Sequence, residues 1–384
     1  MKFHEISHLI VSQMNTMKRK IAVLLFGAAL CLAAFTSEAV AAAGQTGRVY
    51  VMTNKAHNSV LVYDRADDGS LTFLQQVMTR GSGTGVTLDP LQSQGSVALS
   101  SDGKVLLVVN AASAELTAFR VTDAGVEFGS KVFSGGDFPV SVTANNGLVY
   151  VLNQLGTPNI SGFTVNDDAQ LEPIASSTRA LAGGALAQPA QVSFTPDGAQ
   201  LIVTEKGTRL LDIFDVLASG QTGGPFPQVS RGFTPFGFAF GPSNSVIISE
   251  VENRFPLEST ASSYRLTGAP HLQPVSSTVH NQQTAACWVA VTADIAWVVN
   301  TGSATISSFQ IGADGSISVF NPVAASTGDG SSPIDAAASS DGNFLYVLLS
   351  ATGQIAIYNV NGGTLTPLPV VSGLPLSIQG IVAR

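Results

Sequence analysis

The chain has 384 residues, of which 45% are hydrophobic and only 11% charged, with 38 glycines, 18 prolines, 2 cysteines and a net charge of −8. Disorder needs low hydrophobicity with high charge density, a disulfide scaffold needs many cysteines, and nucleic-acid binding needs clustered cations; none of these describes the sequence. A glycine share above the usual ~7% suits a chain full of turns.

The first 43 residues read as a signal peptide. A basic Met17-Lys18-Arg19-Lys20 precedes an apolar run over 21–35 and small residues at 39–43, with translation starting at Met1 or Met17. Its removal takes away four basic and two acidic residues and leaves a net charge of −10. Such a chain is expected to be periplasmic or secreted, to bind no nucleic acid and to span no membrane, because the run falls short of the ~18 apolar residues a span needs. The remaining cysteine, Cys287, has no internal partner and reads as a buried inert thiol.

From residue 44 onward a short apolar run ending in a polar residue recurs. It closes at Asn54, Asn110, Asn153, Glu205, Glu250 and Asn300, with a seventh copy, Leu345 to Leu349, that lacks the polar end. An aromatic follows nine residues later in five copies (Tyr63, Phe119, Phe214, Phe309, Tyr358), and Phe163 and Tyr264 follow at longer spacing. Each unit of about fifty residues reads as four short strands. In the sixth, 296–300 and 305–311 form a hairpin, 317–323 follows after Asp314-Gly315, and 333–337 leads into the next unit.

Asp-Gly and Asn-Gly turns concentrate at two joints, first to second strand (Asp102-Gly103, Asn146-Gly147, Asp197-Gly198, Asp341-Gly342) and third to fourth (Asp68-Gly69, Asp314-Gly315). Both joints lie at one end of an antiparallel sheet, so that face is trimmed. The long connections 80–94, 180–189 and 251–259 elaborate the other. Units of this kind predict an all-β chain: one seven-bladed β-propeller over 44–384 with four antiparallel strands per blade, its ring closed by the segment 377–382 joining the first blade. A monomer is expected.

Site signatures for phosphate loops, G-x-S-x-G, C-x-x-C and H-E-x-x-H are absent, and neither a metal nor a cofactor is expected. His57, His271 and His280 are scattered, with His57 in a loop of the elaborated face. The strand-ending residues form a polar ring that either satisfies backbone groups or faces a ligand. Glu205 and Glu250 need donors or cations, and Lys206, Arg209 and Arg254 are near in sequence.

The repeated turns Ser100-Ser101-Asp102-Gly103, Thr195-Pro196-Asp197-Gly198 and Ser339-Ser340-Asp341-Gly342, with Asp67-Asp68-Gly69-Ser70-Leu71 and Ala313-Asp314-Gly315-Ser316-Ile317, resemble those of the seven-bladed propeller lactonase family. That family includes 6-phosphogluconolactonases and carboxymuconate-lactonising cyclases. The resemblance implies a glutamate ending the second strand of a middle blade, matched by Glu250. It also implies cations and a histidine that this chain replaces: Thr234-Pro235-Phe236-Gly237 stands for Pro-Arg-His, Gln188-Pro189-Ala190-Gln191 for the histidine segment, and Asn300-Thr301-Gly302 for Asn-Arg-Gly. Arg80, Arg179, Lys206, Arg254 and His57 are candidates to compensate.

Two readings stay open. One is an exported lactonase or lactonising enzyme with Glu250 as general acid/base, Lys206 or Arg254 polarising the carbonyl, and Glu205, His57, Asn110, Asn153, Asn300, Phe236 and Trp288 contacting a lactone at the elaborated face. The other is a non-catalytic propeller that binds a ligand or protein there through Phe236, Phe255 and Trp288.

Overall fold

A computed structural model describes residues 45–252 and 255–384. The signal-peptide segment and Arg254 lie outside the described residues. Seven four-stranded antiparallel sheets are arranged as a β-propeller, each with an inner, a second, a third and an outer strand. Blade 5 shows why the sequence folds this way. Its second strand, Ser245–Glu250, is an unbroken buried run because the sheet packs on both sides, whereas outer strands such as Leu71–Met78 mix exposed and half-buried residues.

The trimmed face is built as its sequence implies. In the turn before Lys104, Asp102 Oδ1 accepts from Ser100 Oγ at 2.7 Å and from Lys104 N at 3.1 Å, and Gly103 takes φ +73°. Thr195 with Asp197, and Ser339 with Asp341, repeat the hydroxyl contact at 2.6 Å.

Blade 1 closes the ring. Its second strand Gln45–Met52 pairs with the C-terminal strand Ile381–Ala383 through Val49↔Ala383, Tyr50↔Val382 and Val51↔Ile381. Arg65 ties blade 1 to blade 7 by an ion pair with Asp341 at 3.0 Å and lies over the Phe344 ring. The closing strand begins later than the expected 377, because Gly380 turns through φ +86° and the Gln379 side chain leaves the sheet for the central channel. Blade 3 carries an addition: both Leu171–Pro173 and Arg179–Ala180 pair with its third strand, Asn159–Val165. Among the described residues no helix is long and apolar enough to cross a membrane.

Candidate functional site

The polar ring is a set of clasps. Asn54, Asn110, Asn153, Glu205, Glu250 and Asn300 are all fully buried. Five of them hold the connection that enters their own blade from the outer strand before it. Asn110 Oδ1 accepts from Thr79 Oγ1 (2.6 Å), Asn153 Oδ1 from Ser134 Oγ (2.7 Å), Glu205 Oε1 from Gly183 N (3.1 Å) and Asn300 Oδ1 from Asn281 Nδ2 (2.9 Å). Asn54 does the same for the connection leaving its blade, accepting from Thr84 N at 3.1 Å. In four blades a glycine of the connection lies flat on the ring side chain: Gly81 on Asn110, Gly136 on Asn153, Gly183 on Glu205 and Gly232 on Glu250.

Glu250 is saturated. Oε1 accepts from Gly232 N (2.7 Å) and Ser230 Oγ (3.1 Å), and Oε2 from Thr260 Oγ1 (2.7 Å) and Ser262 Oγ (2.8 Å). Burial raises its carboxyl above the usual range although these donors pull it down. Of the cations expected beside the two glutamates, Arg209 goes elsewhere. Arg209 donates to the carbonyls of Ser230 (2.9 Å), Arg231 and Gly232 (3.1 Å) and stacks on Phe233, while Glu205 Oε2 is held by Thr208. Next to Glu205 the buried Asp212 takes Ala182 N at 2.8 Å; burial foremost, with the Glu205 charge adding, pushes its carboxyl up to about 8.

The mouth of the channel is closed by the 80–94 connection. The Gln94 side-chain amide crosses the axis to blade 6, donating to Val289 O (2.7 Å) and accepting from Val289 N (3.0 Å), and the Trp288 indole returns a bond to Ser93 O (2.9 Å). A side chain at Gly237, the family histidine position, would meet Gln94 Oε1 at 2.1 Å. The 80–94 connection therefore fills the space that a side chain at this position would occupy. Phe236 and Trp288, expected as ligand contacts, are buried edge to face at 5.1 Å.

Beside this plug three ionisable groups converge. Asp89 Oδ1 accepts from Gln92 N and from Gln379 Nε2, both at 3.0 Å, and Lys206 donates to the carbonyl of the same Gln92. The Lys206 ammonium also lies 4.9 Å from the Phe236 ring, so a cation reappears where the family arginine is missing. Burial pushes Asp89 up to about 6, against the opposing pull of Lys206 and the two hydrogen bonds. Asp335, on the inner strand Pro333–Ala338 of blade 7, completes the group. It is buried at a β-bulge with φ +48°, Oδ1 accepts from Ala336 N, Oδ2 has no hydrogen-bond partner among the described residues, and burial, with the Asp89 charge adding, pushes it up to about 8.

The remaining candidates do not join the cluster. His57 is exposed on the blade 1 loop, Arg80 lies over the Phe128 ring at 3.7 Å, and Arg179 donates to carbonyls of Thr222, Ser176 and Thr178. Asp89, Asp335, Gln94 and Gln379 were not legible as site residues. Their one sequence signal is that two polar residues, Asp335 and Gln379, follow the start of an inner segment where Ser141 and Gln191 also stand. Among the described residues no group of three or more His, Cys, Asp or Glu is placed to hold a metal.

A family model described as lactonase, 7-bladed beta-propeller, matches residues 44–183 and 183–377. Among proteins of curated function none matches this sequence. Solved structures share the architecture. A candidate 6-phosphogluconolactonase from Bacteroides fragilis superposes with a TM-score of 0.70 at 18% identity, covering 88% of this chain and 98% of that one. The periplasmic gluconolactonase of Pseudomonas aeruginosa gives 0.68 at 17%, covering 87% and 98%. At such identity these likenesses establish the fold.

Proposed function

Since the chain belongs to the lactonase family of seven-bladed β-propellers, we propose that it is an exported enzyme that opens a small lactone at the mouth of its elaborated face. The observation that carries this reading is the pairing of Asp89 with Lys206 across Gln92. A carboxyl near 6 is half-ionised at about pH 6 and mostly in its basic form at neutral pH, close to the range where a general base works best. Asp89 takes a proton from water as its oxygen attacks the lactone carbonyl, and the Lys206 ammonium faces the oxyanion that forms. The ring C–O bond then breaks and the departing alkoxide takes the proton back from Asp89, giving a hydroxy acid. Asp89 replaces the sequence-based candidate Glu250 in this scheme, because four donors already occupy the Glu250 carboxyl. Export is supported by the basic, apolar and small-residue pattern of 17–43 and by the periplasmic naming of the Pseudomonas neighbour.

A second reading, a propeller that only binds, is favoured by Phe236 and Gly237 standing where the family has arginine and histidine. A panel of aliphatic, aromatic and sugar lactones separates the two. The enzyme reading expects turnover that falls ~10²–10⁴-fold in Asp89→Asn, and by less than tenfold in Glu250→Gln. No turnover on any lactone overturns it and leaves binding.

A further inference from the structure

Large apolar side chains on connecting loops are concentrated on one face. Val86, Leu88, Leu186, Phe233, Phe255 and Leu257 stand exposed on connections of the elaborated face, Leu186 at 72% and Phe255 at 62%, whereas Leu217 is the exposed one on a trimmed-face turn among the described residues. Scattered surface hydrophobics need no explanation, but a group bordering a candidate site does.

Part of this group is a groove. Phe233, Glu252, Phe255, Pro256 and Glu258 line a depression of about 520 Å³, within the size range of small-molecule sites. Its Phe233 wall is linked to the Asp89 and Lys206 cluster through the 206–209 connection. Arg209 covers the Phe233 ring at 4.0 Å from the same short connection, 206–209, from which Lys206 covers Phe236 at 4.9 Å, and Phe233 and Phe236 lie three residues apart on one segment. A carbonyl held at Lys206 thus has an aromatic surface beside it. The substituent cannot descend into the channel, which Gln94 and Trp288 close.

The charges of the groove decide which substituent suits it. Glu252 Oε1 is occupied by Phe233 N and Thr260 Oγ1, both at 3.0 Å, and Glu258 sits 3.6 Å from His280 at its rim. Among the described lining residues the charged ones, Glu252 and Glu258, outweigh the single Arg209 guanidinium over Phe233 and disfavour a phosphate or carboxylate substituent, and a polyhydroxylated one gains little from exposed phenylalanines.

We infer that the substrate is a lactone bearing an unbranched aliphatic tail, with the ring at Asp89 and Lys206 and the tail along Phe233 and Phe255. This inference rests on the lactonase reading above. Removing one buried methylene from water is worth about a fourfold gain in affinity, so a tail lying half-covered gains about twofold per methylene.

The test uses δ-valerolactone, δ-decalactone and δ-dodecalactone on the wild-type protein and Phe255→Ser. The expected result is a kcat/KM that rises about two- to fourfold per tail methylene, with the dodecalactone-to-valerolactone ratio falling at least tenfold in Phe255→Ser. A ratio near one in the wild type, or one that Phe255→Ser leaves unchanged, overturns the tail site while the lactonase reading survives. Equilibrium dialysis of δ-dodecalactone against Asp89→Asn reads the same groove without turnover. Retention of dodecalactone over valerolactone, lost on adding Phe255→Ser, supports the tail site even if hydrolysis fails, and equal retention of both rejects it.

Discussion

Gly232 lies flat against the Glu250 carboxyl: its N–H donates to Oε1 at 2.7 Å, and a methyl added at residue 232 would meet Oε2 at 2.1 Å. The carboxyl cannot retreat, because Thr260 and Ser262 hold Oε2 from the other side. Gly232→Ala is therefore expected to lower the unfolding free energy by about 1–3 kcal/mol, the usual cost of overpacking a buried contact. Urea denaturation of the purified protein measures it. An unchanged midpoint would mean that the clasp does not hold blade 5 as described.

The plug across the channel makes a second prediction. Gln94→Ala leaves the N–H and C=O of Val289 without their partner, at about 1–3 kcal/mol for each group left unpaired. Hydrogen exchange should accelerate at Val289 and at Leu91, whose N–H is held by Gln379 beneath the same connection. Exchange confined to residue 94 itself would show that the connection does not depend on the bridge.

Asp212 and Asp335 predict the pH dependence of stability. Each carboxyl ionises near 3.9 in the unfolded chain and about 8 in the folded one, so the unfolded state loses its proton first. Their favourable contribution is complete below about pH 4 and is lost as pH rises toward 8, with a slope of up to about 1.4 kcal/mol per pH unit for each group. Asp335→Asn keeps the left-handed backbone that asparagine tolerates, and should be more stable than wild type at pH 8 with a gap that closes toward pH 4. Parallel stability profiles for the two proteins would contradict the assignment.

These contrasts show where the sequence is readable. Blade number, turn positions and ring closure follow from local patterning: an Asp-Gly turn needs only its own residues, as Asp102 and Gly103 show. The ring glutamate Glu250 was visible as a buried carboxylate, but its partners were not. Cations were expected, yet the charge is met by Ser230, Gly232, Thr260 and Ser262, which come from the preceding connection and the neighbouring strand. The Asp89 site was hidden for a related reason. Asp89, Lys206 and Asp335 come from blades 1, 4 and 7, and only closure of the ring and the crossing of Gln94 to Val289 bring such distant segments to one mouth.

The pH dependence of kcat/KM on a δ-lactone, in wild type and in Lys206→Met, tests the proposed base most directly. The Asp89 assignment predicts a limb rising through about pH 6 in the wild type, displaced to higher pH in Lys206→Met because the ammonium that lowers the Asp89 carboxyl is gone. A profile flat between pH 5 and 7, or a limb that stays in place when Lys206 is replaced, would contradict it.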